Sequence, residues 1–440
     1  MFSWFCYLFI LIIIFFILLK SKFFKKSNLP TKYLLLLFLI KLFASFMLYI
    51  IYTKYYSHTR MQTDIFKYYD DGYILYNALK HTPLDFFKML LPFYDNDPYL
   101  KQKYFEKMNF WIKPYKVDII NENKTLIRLN ALIFIFSNNN YFTHVLIFIF
   151  LAFLGQYALF LFFKDHFPET NQYILSFPVF LMPSVLIWTS GILKESILFF
   201  GLGFSLYYLN SFIKSKKTKY LFLLIFFLFV TAISKFYVFL LLLPTIITFS
   251  ISEFYKLSIK KTILIYSFII SLFLFLFFTS KYFTNIDLVD LVIQKQKGFI
   301  KFTEKQFTGS KIEIPILENN IFSFLINTPQ ALLNVVFRPT IFEFHNLMAF
   351  FSALENTFIF LLIIFTIIFL KKQKIKNIHL LCVTFSLLLF SLIGLVTPVL
   401  GALVRYKIPA LPFFIILLIS FLNFEKYLFN IKKLTLTWKK

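Results

Sequence analysis

The feature that most constrains this chain is a series of apolar runs, each roughly 16 to 24 residues long, separated by short hydrophilic gaps. A helix needs about 20 residues to cross about 30 Å of hydrocarbon, so most runs are long enough to span a bilayer and a few are marginal. With 59% apolar and 15% charged residues and a mean hydropathy of +0.74, the 440-residue chain could not hide this surface in a water-soluble fold. The expected fold is all-α: a polytopic transmembrane protein of about eleven spans, near 2–19, 33–51, 141–163, 172–187, 193–210, 219–234, 236–251, 262–279, 347–370, 378–396 and 408–423. Residues 1–440 read as a single transmembrane domain with no internal repeat and no inverted pseudo-symmetry.

The net charge of +25 would suit a nucleic-acid binder only on a soluble basic face, and here the Lys residues lie in the gaps between apolar runs, so no nucleic-acid partner is expected. They report topology instead. If 20–32 is cytoplasmic, alternation places 164–171, 211–218, 252–261, 371–377 and a basic tail at 424–440 on the same side. With Lys219, that side holds 22 Lys and Arg against 4 carboxylates, and the other 17 carboxylates fall opposite. The N-terminus is then outside and the C-terminus cytoplasmic. The run 2–19 has Lys after it and none before it, the wrong polarity for a cleaved signal. A bacterial inner membrane is the expected location. Cys6 and Cys382 both sit in apolar runs, which leaves no disulfide framework or thiolate metal site.

This topology creates two long extracytoplasmic loops, 52–140 and 280–346. Short amphipathic pieces in the first, "FFKMLLPFY" and "LIRLNALIFIFS", suit interfacial helices on the bilayer or ordinary helices packed on one another. Ionisable groups near hydrocarbon cost a few kcal/mol each, so those retained there tend to serve a site. Nearly all fall at the outer edge. Asp64 and Asp71 flank Tyr68 and Tyr69 in "TDIFKYYDDGY", where a carboxylate can act as general base for an incoming hydroxyl or bind a divalent cation. An N-terminal helix cap is the structural alternative for Asp64. Next come Trp188, Ser190, Lys194 and Glu195, where a helix start beside a Lys suits a phosphate, although a plain tight turn explains the same residues. Arg338, Glu343, His345 and Glu355 flank the ninth span, and Arg405, Tyr406 and Lys407 precede the last; Arg suits a bidentate grip on phosphate oxygens.

The early outer-loop Asp with "YYDDG", then "MPSVLIWTSGILKES", "FRPTIFEFHN" with "SALEN", and last "GALVRYKIPALP", resembles the GT-C superfamily of multi-pass glycosyltransferases and the neighbouring O-antigen-polymerase-like proteins. The resemblance covers most of the chain in arrangement but rests on short motifs. Asp64 is not in an acidic pair, and no soluble domain follows the last span. What it implies is a hexosyltransferase-like or polysaccharide-polymerase-like enzyme of cell-envelope assembly. A polyprenyl-phosphate or polyprenyl-pyrophosphate sugar is the donor and a glycan, lipid or protein the acceptor, with reaction at the outer face.

In that reading Asp64, Asp71 or Glu343 supplies the catalytic carboxylate, and Lys194, Arg338, Arg405 and Lys407 bind the donor phosphate. Tyr68, Tyr69, Trp188, Ser190, Glu195, His345 and Tyr406 line the substrate. No motif fixes a cofactor, and a divalent cation, Mg or Mn, is the one these carboxylates allow. Two other classes fit the same composition: a lipid-linked glycan transporter or flippase, which needs charges in mid-span, and a non-catalytic assembly subunit. Lys41 is the main mid-span charge.

Overall fold

A computed structural model describes residues 2–55, 64–112, 121–305, 310–344 and 346–423. His345, the tail at 424–440 and parts of both long loops lie outside these residues. The described residues are helical, with no strand beyond the isolated bridges Lys311–Val399 and Leu370–Leu422. In chain order the helices are α1 (Phe2–Lys20), α2 (Thr31–Ile50), α3 (Asp64–His81), α4 (Pro83–Leu90), α5 (Pro98–Lys103), α6 (Asn123–Ser137) and α7 (Tyr141–His166). They continue as α8 (Gln172–Ser176), α9 (Pro183–Trp188), α10 (Lys194–Ser215), α11 (Thr218–Ser234), α12 (Phe236–Phe254), α13 (Ile259–Phe283) and α14 (Leu288–Lys305). The last five are α15 (Ile321–Phe337), α16 (Leu347–Ile368), α17 (Asn377–Val396), α18 (Leu400–Tyr406) and α19 (Leu411–Phe421).

Eight of these segments are long and apolar enough to cross a membrane: Trp4–Lys26, Thr31–Tyr55, α7, α10, α12, α13, α16 and α17. The count is nine if α18 and α19, bent by 71° at the break between them, form one broken span. These are the helices of an integral membrane protein. Of the eleven expected runs, 219–234 is the shorter apolar helix α11, and 172–187 is not one helix. Gln172–Leu181 is one short apolar helix, α8 continued by a π-helical segment at Phe177–Leu181, and the run breaks at Met182 before Pro183 opens α9.

The chain divides into two compact units, Met1–Asp165 with Asn171–Leu181 and Val185–Phe239, and His166–Thr170 with Met182–Ser184 and Leu240–Lys440. In lipid, helices associate through close packing rather than a hydrophobic drive, so small residues mark their crossings. In the first unit α7 crosses α10 at two glycines: a Cβ on Gly203 would lie 1.8 Å from the Gly155 carbonyl oxygen, and one on Gly155 would lie 2.1 Å from the Phe199 oxygen. Gly201 meets the backbone of Thr231 in the same way where α10 packs on α11. In the second unit Gly394 of α17 lies against the Ala331 carbonyl of α15. Because the opposing atoms are backbone, nothing can move aside cheaply. Gly203→Ala is therefore expected to destabilise the protein by about 1–3 kcal/mol, as overpacking does, seen as a lower unfolding temperature in detergent. An unchanged midpoint would show that the crossing is looser than this.

The first long loop folds onto itself. Gly72 lets α3 approach the Ile127 carbonyl and Asn130 of α6, and α6 buries Leu126, Ile127, Ala131 and Phe134. "LIRLNALIFIFS" is thus a packed helix. Both pieces keep an exposed apolar side: α6 exposes Leu132, Ile135 and Phe136, and α4, which buries Phe86 and Met89, exposes Leu84 and Phe87, with Phe93 just beyond it 90% exposed.

Candidate functional site

In the first unit the start of α3 packs against the segment that leads into α10. Ile65 and Phe66, at the start of α3, are buried with Leu48 and Leu193, and Ile187 and Trp188 pack against them. Gly191 allows this, since a Cβ there would lie 2.7 Å from Leu48. Asp64, the first residue of α3, is therefore held beside the segment that opens α10 with Lys194.

Lys194 donates to Glu122 at 3.0 Å and keeps 14% of its side chain exposed. The other Glu122 oxygen accepts the Phe236 amide at 2.8 Å, so one carboxylate ties α6, α10 and α12 together. The next residue, Asn123, accepts a hydrogen bond from the Tyr68 hydroxyl at 3.1 Å. Glu195, expected to line the substrate, is instead 0% exposed and pairs at 2.8 Å with Lys235, which is 4% exposed. Ser190 is also fully buried, its hydroxyl donating to the Leu186 carbonyl, and Trp188 is half-buried.

Asp71 is fully buried on α3 and its oxygens accept from the Asn109 amide and side chain at 2.8 and 2.9 Å and from the Phe110 amide at 2.8 Å. Burial pushes its carboxyl above the ordinary value, against the pull of these bonds. Its visible work is to fasten the 109–110 backbone to α3. Asp71→Ala is expected to lower the unfolding temperature and to make the 105–112 segment more sensitive to protease. Wild-type protease resistance in this variant would assign Asp71 another role.

A cavity of about 450 Å³ opens between α2, α3 and the start of α7. The rings of Tyr49, Phe66, Tyr69, Tyr73, Tyr141 and Phe142 frame it, and Asp70 and Asn139 supply polar groups. Tyr69 donates to the Asn139 carbonyl at 2.7 Å, and Asn138 and Asn139 turn the chain from α6 into α7 with positive φ, which Asn tolerates better than most residues. Asn139 is not among the residues that the sequence points to. Asp70 stands next to the chosen Asp71, and helical spacing alone does not say which of the two turns inward.

In the second unit Arg338 pairs with Glu343, which also accepts the Thr340 amide at 2.9 Å. Burial raises the Glu343 carboxyl, while Arg338 and the Thr340 bonds lower it, and the net direction is down from 4.5. A lowered carboxyl stabilises the fold fully above its ordinary value and loses that contribution as pH falls through the lower, folded one. The 338–344 segment should therefore become more protease-sensitive on acidification. Glu343→Gln should show that sensitivity already at neutral pH, and a pH-independent cleavage rate in the wild type would contradict the anchoring.

Lys407 is buried and donates to Asn356 at 2.6 Å and to the Val335 carbonyl at 3.2 Å, while Asn356 donates to the Pro339 carbonyl at 3.0 Å. Glu355, two turns into α16, accepts the Ser184 amide and hydroxyl at 2.6 and 2.7 Å. Arg405 and Tyr406 are half-buried at the end of α18, and Tyr406 meets the Phe299 ring at 6.3 Å. Back in the first unit, Lys41 is buried in its span and donates to Thr189, whose hydroxyl donates to the Val185 carbonyl at 2.7 Å. Among the described residues no three His, Cys, Asp or Glu side chains come together as a metal-holding group. Comparison of the chain with protein-family models, with curated proteins and with solved structures finds no match.

Proposed function

We propose that the protein is a membrane glycosyltransferase that moves a sugar from a polyprenyl-phosphate or polyprenyl-pyrophosphate donor to an acceptor hydroxyl. The reaction belongs at the face that carries the 52–140 loop. On the positive-inside count that face is the outer side of a bacterial cytoplasmic membrane. The observation that carries this reading is the meeting, in the first unit, of the Asp64 end of α3 with the Lys194 end of α10, where spans give way to loop and an aromatic cavity opens alongside.

Each part has a task. The Asp64 carboxylate takes the proton from the acceptor hydroxyl as its oxygen bonds to the anomeric carbon. The bond from that carbon to the donor phosphate oxygen breaks, and the phosphate leaves with the electron pair. Lys194, held in place by Glu122, faces the negative charge that builds on the leaving phosphate. Glu122 and Asn123, adjacent in the chain, take hydrogen bonds from Lys194 of α10 and Tyr68 of α3, and the Glu195–Lys235 pair fixes the start of α10 on the end of α11. The protonated Asp64 returns its proton to water.

Lys41 keeps a transport reading in view, since a buried charge inside a span is what passage of a charged lipid headgroup would need. The two readings part on covalent chemistry. Purified protein given a polyprenyl-phosphate sugar and an acceptor glycan should yield free polyprenyl phosphate and extended acceptor in equal amounts by mass spectrometry. Donor that reaches the opposite leaflet intact, with no product, would make it a transporter.

A further inference from the structure

Helix α6 stands in the first long loop, yet hydrogen bonds tie both of its ends to the ends of apolar helices. At its start Glu122 accepts from Lys194, which opens α10, and from the Phe236 amide, which opens α12. The Thr125 hydroxyl donates to the Ile233 carbonyl, in the last turn of α11, at 3.0 Å. Further along, the Asn130 side chain and the Ser137 hydroxyl each meet His144, in the first turn of α7, at 2.8 Å. Three of these partners, α7, α10 and α12, are long and apolar enough to cross a membrane. Each is met within a turn of one end, so α6, with 15 residues and a length of about 22 Å, runs across the spans at the level where they leave the hydrocarbon.

One side of this helix is packed and another is not. Leu126, Ile127, Ala131 and Phe134 are buried, whereas Leu132, Ile135 and Phe136, spaced i, i+3 and i+4, form a stripe with exposures of 42%, 52% and 52%. Nothing ionisable occurs from Leu129 to Ser137, so this half of α6 carries none of the charge that hydrates the outer face of a helix in water. A lipid-facing surface lies next to it. The span α1 packs beside α6, and its Trp4 stacks at 5.8 Å on Phe142, just past the end of α6. Phe5, Leu8, Phe9 and Ile12 of α1 point outward, as residues of a span do towards acyl chains.

We propose that α6 is an interfacial helix whose Leu132, Ile135 and Phe136 lie among the acyl chains of the leaflet on the 52–140 side, continuing the lipid-facing surface of α1 into the loop. The expected depth is about 5–10 Å into the boundary between headgroups and chains. The packed side and the lipid side are different faces of one helix, with α3 and His144 on the first. A consequence concerns the Glu122–Lys194 pair. It stands at the start of the same helix, so a phosphate anchored in that leaflet would lie level with it.

The test places a nitroxide on single cysteines of the full chain, in a Cys6→Ala, Cys382→Ala background, reconstituted in vesicles of phosphatidylcholine and phosphatidylglycerol. Electron paramagnetic resonance then compares access by oxygen, which concentrates among acyl chains, with access by a water-soluble nickel chelate. Labels at Leu132→Cys, Ile135→Cys and Phe136→Cys should favour oxygen and report a depth of about 5–10 Å. Ile12→Cys, in the middle of α1, should read deeper, and the exposed Gln102→Cys should favour the chelate. All three stripe residues are exposed, so a label there displaces no core, and a wild-type gel-filtration profile verifies the fold.

Chelate access equal to that of Gln102→Cys would put the stripe in water and overturn the inference. Low access to both reagents would overturn it as well, since the stripe would then be covered by protein, either residues 56–63 or 113–120 of this chain or a second copy. Neither reading of the spectra depends on sugar transfer: an interfacial α6 in a protein that makes no glycosidic bond leaves this inference standing and removes the transferase.

Discussion

Replacing Lys235 by Met is expected to destabilise the protein by about 3–5 kcal/mol, the usual cost of taking one partner from a buried ion pair. Glu195 has no exposed side-chain surface and Lys235 only 4%, at a separation of 2.8 Å, so water cannot take the place of the lost ammonium. The carboxylate is fixed on the first turn of α10, and Lys235 follows the last residue of α11, its amide closing that helix on the Thr231 carbonyl at 3.0 Å. The pair thus ties two helix ends that the Gly201–Thr231 approach has already brought together. Introducing Glu195→Gln with Lys235→Met removes both charges and should recover most of the lost stability. The unfolding temperature and monodispersity of the three proteins in detergent check this. A single variant as stable as the wild type would mean that the pair is solvated.

Asp64→Ala is expected to lower the turnover of sugar transfer by a factor of about 10²–10⁴, the contribution of a positioned general base, with insertion and expression unchanged. The argument is positional. Ile65 and Phe66 are 1% and 2% exposed and fix the start of α3 against Leu193, whereas Asp64 itself remains partly accessible. Truncating it removes the carboxylate without opening the core. Asp64→Asn, which keeps shape and loses basicity, should be as inactive as Ala. Lys194→Ala should differ from both by weakening the donor interaction as well as turnover, since its charge meets the phosphate before and during bond breaking. Equal activity of Asp64→Ala and the wild type would remove Asp64 from the mechanism.

Much of the helix pattern was legible in the chain because lipid imposes a length. The runs read at 347–370 and 378–396 are α16 and α17 to within two residues. Where proline interrupts a run, as at 172–187, hydropathy still reported an apolar segment but could not say that its backbone changes course. That the start of α3 packs with Trp188 and with Leu193, just before α10, is in keeping with their common place at the edges of apolar runs.

Their partners could not. Glu122 meets Lys194 across 72 residues and Glu195 meets Lys235 across 40, and no local period connects them. Composition likewise gave Glu195, Arg338 and Glu343 the same standing as Lys194. Only packing separates the fully buried Glu195–Lys235 pair, or a pair that closes a turn, from the partly exposed Lys194–Glu122 pair. The aromatic cavity was hidden for a related reason: in a chain with 67 Phe and 26 Tyr, a cluster of rings carries no signal until helices α2, α3 and α7 converge.

The most direct test of the central claim is sided transfer in proteoliposomes of known orientation, with a labelled polyprenyl-phosphate sugar and acceptor glycan supplied to one face at a time. Extended, labelled acceptor should form when both are supplied at the face bearing the 52–140 loop, and not when both are supplied at the Lys-rich face. Product made only from the Lys-rich face, or labelled donor carried across unchanged, would contradict the account.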